Sequence, residues 1–247
     1  ASIYVYNEGK EDHTQVFAQV TRCDGSFLLA RQPDEKFDWT KLRGKTLLPG
    51  RKGGVPYMTL MHVLRKNGLE PERDVVLDSS MQYSMMTAAF TGGTGDYVTA
   101  FEPTASMLQQ QGKAYIVASV GEASGEIPYT SFSASKSYIA ANPELIKGFL
   151  RAIVKGYDYI KNNTPETVAP YLTPSFSGTS EKSAAAALKS YIEIDAWCST
   201  PVFTENAYIK LQDVMQNAGF LESRVTFTSA VDNTFAKAVA AEFSETK

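Results

Sequence analysis

Three short runs carry residue types able to do chemistry, and they suit binding better than turnover. The first spans Pro49 to Pro56, where Gly50, Gly53 and Gly54 surround Arg51 and Lys52 just ahead of an apolar run. Glycines remove side-chain bulk, so backbone N–H groups can approach a ligand, and a helix N-terminus behind them adds partial positive charge. Arg51 and Lys52 add full charges, which favours an anion. A plain tight turn with both cations in water fits the same letters. No Lys-Ser or Lys-Thr pair opens the helix, so this is no Walker loop, and the dinucleotide glycine spacing is absent. The second run, Gly92 to Pro103, ends a strand on Phe101, Glu102 and Pro103. In an open parallel sheet that edge faces the ligand crevice. Glu102 there either caps the next helix or accepts a donor from the ligand. The third, Asp24-Gly25-Ser26, is a turn signal first and a contact second.

What is scarce narrows the chemistry further. The chain has two histidines, His13 and His62, and two cysteines, Cys23 and Cys198, far apart and in no metal-like spacing. That leaves little material for a zinc site or a Ser-His-Asp triad, so no catalytic set, metal or cofactor is expected. The cysteines read as buried thiols, with a long-range disulfide left open. Net charge is −3, which argues against a nucleic-acid partner. Hydrophobic residues make up 43% and charged residues 21%, so a packed core rather than disorder is expected. No apolar run is long enough to span a bilayer, and no secretory signal opens the chain.

The elements that must position these runs alternate between two kinds. Gln15 to Val20 alternates polar and apolar as a half-buried strand does, and Phe27 to Ala30 is a short apolar strand after the Asp24 turn. Arg31 to Lys41 reads as a linker. Strands are then predicted at 45–48, 75–77, 96–100 and 114–118, with helices between them. The first helix carries Tyr57, Leu60, Met61 and Leu64 at helical spacing, and the second places Met85, Met86, Ala89 and Phe90 on one side. This is the signature of βαβ units and a mostly parallel sheet. Gly121 to Gly125 reads as a second linker, Ile127 to Ser133 as strand-like, and the remainder as helical, beginning at Asn142-Pro143. The expected organisation is α/β: one lobe from residues 31–125, inserted between 1–30 and 126–247. Two crossings between lobes make a hinge, and a hinge makes a cleft.

Several stretches are similar to a known family: Ala1-Ser2-Ile3-Tyr4-Val5-Tyr6-Asn7, Leu42-Arg43-Gly44-Lys45-Thr46 with the Gly50–Gly54 loop, Gly92 to Ser106, and Ile127-Pro128-Tyr129-Thr130. They resemble the substrate-binding proteins of nitrate/sulfonate/taurine-type ABC importers, which share a fold with thiamine-pyrimidine synthesis proteins. The resemblance implies a type 2 periplasmic-binding-protein fold with parallel or mixed sheets flanked by helices. It implies a small-molecule ligand, a sulfonate-, nitrate- or taurine-like anion or a pyrimidine-like ring, held between two lobes. It also implies a membrane permease as partner and a periplasmic or extracellular location, with a lipid anchor as one form of it. Ligand contacts carry over to Gly50, Arg51, Lys52, Gly53, Gly54 and Tyr57, to Phe101 and Glu102, and to Asp24, Gly25 and Ser26. Family members open with a further βαβαβ segment of roughly eighty to ninety residues, within one-domain size limits. Its absence here predicts an incomplete first lobe, a truncated chain, and a tendency to dimerise or associate through the exposed sheet. Two alternatives stay open: a pyrimidine-precursor enzyme on the same fold, and a ligand-sensing domain without transport.

Overall fold

The computed structural model describes residues 2–244. Its first elements are α1 (Ser2–Asn7), β1 (Thr14–Gln19), β2 (Ser26–Ala30), β3 (Thr46–Leu48), α2 (Val55–Lys66), β4 (Val76–Leu77), α3 (Tyr83–Thr91), β5 (Tyr97–Phe101), α4 (Thr104–Gln110), β6 (Tyr115–Ser119) and α5 (Val120–Ser124). There follow β7 (Ser131–Ser135), α6 (Lys136–Ala141), α7 (Pro143–Asn162), α8 (Pro165–Leu172), α9 (Glu181–Glu193), α10 (Glu205–Asn217), α11 (Phe227–Ala230) and α12 (Thr234–Ser244). The chain forms two compact units, one of residues 1–22, 127–164 and 197–247, the other of 23–126 and 165–196.

The second unit is built on a five-stranded sheet in the order β4-β3-β5-β2-β6. β3 runs parallel to β4 and β5, while β2 lies antiparallel between β5 and β6. The sheet is therefore mixed, with four strands in one direction and β2 reversed. All five residues of β2 are buried, as a strand covered on both faces must be, which is why Phe27 to Ala30 reads as an unbroken apolar run. Phe27, Leu29, Leu48, Met86, Phe90, Val98 and Ala100 make its core. Met85, one residue from the fully buried Met86, is 60% exposed. Neighbours on a helix differ by about 100° in direction, so these two methionines cannot share the face assigned to both.

Two segments read as linker or tail are structured parts of this unit. Residues 120–124 form a helical turn, because the Ser119 hydroxyl accepts the Glu122 amide at 3.1 Å and Gly125, at φ +72°, ends it. Residues 165–196, which the sequence reading leaves within 126–247, group with the second unit. The cause is α9: beyond its alanines, Tyr191 and Ile194 pack against the Phe27–Leu29 core.

The first unit holds a two-stranded sheet, β1 antiparallel to β7 with an irregularity between Val16 and Ala18. β7 begins beyond the expected start at Ile127, since Pro128 has no N–H to give a ladder. Phe17, Ala18, Ile139, Ile146, Leu150, Val154, Ala236 and Val239 form this unit's core. α7 supplies Ile146, Leu150 and Val154 to it, whereas Leu145 on the same helix is 58% exposed.

Candidate functional site

Four parallel strands and one reversed strand bring distant turns to one edge of the second unit's sheet. The carboxyl ends of β3, β5 and β6 lie there with the beginning of β2, since Ser26 pairs with Phe101 and Phe27 with Ser119. That edge is where ligands meet open α/β sheets. The glycine loop leaves β3 into it. Gly50 and Gly53 have φ of +87° and +76°, a left-handed backbone that side chains disfavour. The Gly54 N–H donates to the Arg51 carbonyl at 3.0 Å, tightening the turn, and Gly54 then caps α2 with no side-chain bond of its own. The side chains of Arg51 and Lys52 are exposed and make no hydrogen bond or ion pair among the described residues. The loop thus offers two unspent cations beside a helix start.

The Asp24 turn leads into β2, two strands along the sheet from β3 with β5 between them. Asp24 Oδ1 accepts the Ser26 amide at 2.7 Å and also the Ser26 hydroxyl. Asp24 is 0% exposed, and its Oδ2 has no hydrogen-bond partner among the described residues. Burial pushes this carboxyl above the usual aspartate range, against the pull of the two Ser26 bonds. Gly25 passes close under Tyr191: a Cβ there would stand 3.2 Å from that ring, and the ring would have to give a few tenths of an ångström. The Tyr191 hydroxyl in turn accepts the Glu102 backbone N–H at 3.2 Å. Gly121 is tighter still, because a Cβ would lie 2.0 Å from the Asp24 carbonyl oxygen.

One tyrosine joins the two turns. The Tyr83 ring lies 6.3 Å from that of Phe101, edge to face, and 3.7 Å from where a Gly50 Cβ would be. Partial burial raises its phenol pKa, and the Asp24 carboxyl adds to the rise. Gly50, Tyr83, Phe101, Ser26 and Asp24 therefore form one continuous run along the sheet edge. Sequence reasoning missed Tyr83, taking the start of its helix as a methionine-rich core segment. It also missed Tyr191, ninety residues beyond Phe101 with no motif around it.

Two expected contacts are placed otherwise. Tyr57 is 1% exposed, within the buried face of α2, and its hydroxyl donates to Glu72 Oε1 at 3.0 Å. Burial, then Glu72, pushes its pKa up to about 12. Its side chain is thus turned into the packed unit by the apolar face of its own helix. Glu102 directs both carboxylate oxygens at Ser106, accepting its amide at 2.9 Å and its hydroxyl at 2.7 Å. That makes it the N-terminal brace of α4. Cys23 and Cys198 are both buried, and no disulfide joins them. Among the described residues no group of three His, Cys, Asp or Glu is arranged to hold a metal ion.

Residues 31–167 match the model of the family described as NMT1/THI5 like. A Bacillus subtilis (strain 168) relative named "Putative binding protein YtlA" is 36% identical over 241 residues, 98% of this chain and 72% of that protein. The chain belongs to the NMT1/THI5-like family. Solved structures similar to this NMT1/THI5-like chain include the periplasmic aliphatic sulphonate binding protein SsuA from Escherichia coli. There the TM-score is 0.73 at 17% identity, over 93% of this chain and 72% of that one. The desulfurization enzyme DSZB is also similar, with a TM-score of 0.65 at 15% identity, over 94% of this chain and 80% of that one. The α/β fold seen here is thus one that carries both binding and catalysis, and activity must be argued from the site.

Proposed function

We propose that this chain is the solute-binding component of an ABC-type importer, taking a small solute at the edge formed by the 49–54 loop, the Asp24 turn and Phe101. The observation that carries the reading is the pair Arg51 and Lys52, exposed and unpartnered on a loop opened by Gly50 and Gly53 at the start of α2. Free cations beside unsatisfied helix N–H groups attract an anionic group. The binding-protein name of the Bacillus relative and the sulphonate-binding SsuA neighbour support the same class. Binding without turnover is the reading favoured, in keeping with the binding-protein name of the Bacillus relative. The partner would be a membrane permease and the location periplasmic or extracellular. No helix among the described residues is long and apolar enough to cross a membrane.

Calorimetry with ethanesulfonate, nitrate and cytosine tests it. At least one of these binds and is recovered unchanged. Replacing Arg51 and Lys52 together by alanine weakens an anionic solute about tenfold or more, since each charge-assisted bond is worth roughly 1.5–3 kcal/mol. The melting temperature stays within the small range expected of exposed sites. Silence from every probe, or equal affinity in the double variant, would refute the proposal.

A further inference from the structure

Asp24 is a buried acid with half of its hydrogen-bonding capacity unspent. Oδ1 holds the Ser26 amide at 2.7 Å and the Ser26 hydroxyl, while Oδ2 holds nothing among the described residues. The influences on this carboxyl are burial and those two bonds, with no lysine, arginine or histidine among them. A buried carboxylate without a cation is costly, and burial drives it toward its protonated form, so an N–H donor brought to Oδ2 would lift that cost. The two Ser26 donors hold the carboxyl plane and oppose the rise that burial imposes, so that once ionised Oδ2 is a pre-oriented acceptor. Its neighbours lead back to the anion-attracting loop: Ser26 pairs with Phe101, Phe101 faces Tyr83, and Tyr83 borders Gly50.

We propose that Asp24 anchors a nitrogen donor of the captured solute, an ammonium, amidinium or ring amino group whose N–H pairs with Oδ2. This rests on the solute-binding reading above and narrows its ligand class to solutes that carry such a donor. Asp24 is closed to water, so the donor enters with a local opening of residues 23–26.

Calorimetry of the 247-residue chain at pH 8 with two matched pairs decides the matter: taurine against ethanesulfonate, and 4-aminopyrimidine against pyrimidine. In at least one pair the amino member binds about tenfold tighter or more, as a charge-assisted bond requires. Asp24→Asn brings that member to within about twofold of its partner and leaves the partner unchanged. An Asn variant that binds the amino member as well as the parent protein does would overturn the proposal, because an amide can donate where a carboxylate only accepts. Equal affinity within both pairs in the parent protein overturns it too, and that comparison needs no variant to fold. If neither pair binds and the earlier panel is also silent, the solute-binding reading falls and this inference with it.

Discussion

Replacing Asp24 by asparagine should change how stability depends on pH in the ligand-free protein. The Asp24 carboxyl is raised by burial above its ordinary value, with the Ser26 bonds opposing. An aspartate in the unfolded chain titrates near 3.9. Between that pH and the raised folded value, the folded state keeps a proton that the unfolded chain has released. Stability from this group is therefore fully present below about pH 4 and is lost as pH rises through the folded pKa. The slope inside that window is about 1.4 kcal/mol per pH unit for one proton. Asparagine keeps the oxygen that accepts both Ser26 bonds and cannot ionise. Its amide lacks a partner, as the carboxyl oxygen does, so at acid pH the two proteins differ little.

The expected record is a pair of curves that meet near pH 4 and then diverge, with the Asn variant the more stable at pH 8. An unmet buried polar group costs roughly 1–3 kcal/mol, and more when charged. At about 2–4 °C per kcal/mol for a chain of this size, the separation is several degrees. Asp74 has its pKa lowered to about 2, first by the Arg73 hydrogen bond, and contributes in the opposite sense at lower pH. That contribution is common to both proteins and cancels in the difference. Thermal unfolding from pH 4 to 9, followed by fluorescence in both proteins, measures it. Parallel curves across that range would show that Asp24 carries no ionisation cost, and the argument for an unpaired buried charge would fail.

Two further expectations follow from the same unit. Arg31 donates to the carbonyls of Phe90 at 3.0 Å, Thr94 at 3.1 Å and Gly95 at 2.6 Å, and lies 4.4 Å over the Phe90 ring. Arg31→Ala should cost roughly 2–4 kcal/mol in denaturant unfolding. Arg31→Lys should recover less than half, since an ammonium cannot copy the planar fork, and full recovery would refute that account. Gly121→Ala should cost about 3 kcal/mol or more, because its Cβ meets the Asp24 carbonyl at 2.0 Å and both contacting segments must shift. A melting temperature unchanged by this methyl group would mean the contact relaxes freely.

The order of strands and helices was legible because periodicity is local. β3, α2, β5 and α4 fall where apolar spacing, glycines and the Pro56 start place them. What was not legible depends on partners distant in sequence. Nothing in Phe27 to Ala30 tells that β2 is reversed between β5 and β6, because a strand buried on both faces looks the same in either direction. Nothing in Ser180 to Trp197 tells that Tyr191 reaches the Glu102 amide. The helical turn at 120–124 was hidden by Gly121 within it, which makes room for Asp24, and by Gly125 after it, which ends it.

The candidate site divides along the same line. Gly50, Arg51, Lys52 and Gly53 are readable because their role is a backbone geometry and an exposed charge, both properties of the local letters. For Tyr57 and Glu102, residue type announces a capability without saying whether it is already used. One hydroxyl is taken by Glu72, and one carboxylate by Ser106. Asp24 is the converse case. As a letter before Gly25 and Ser26 it is an ordinary turn aspartate, and only burial together with an unfilled Oδ2 sets it apart. A polar atom that folding encloses without satisfying is a cost the fold has not removed. At an edge of the kind where ligands meet open α/β sheets, the solute proposed above would supply the missing donor.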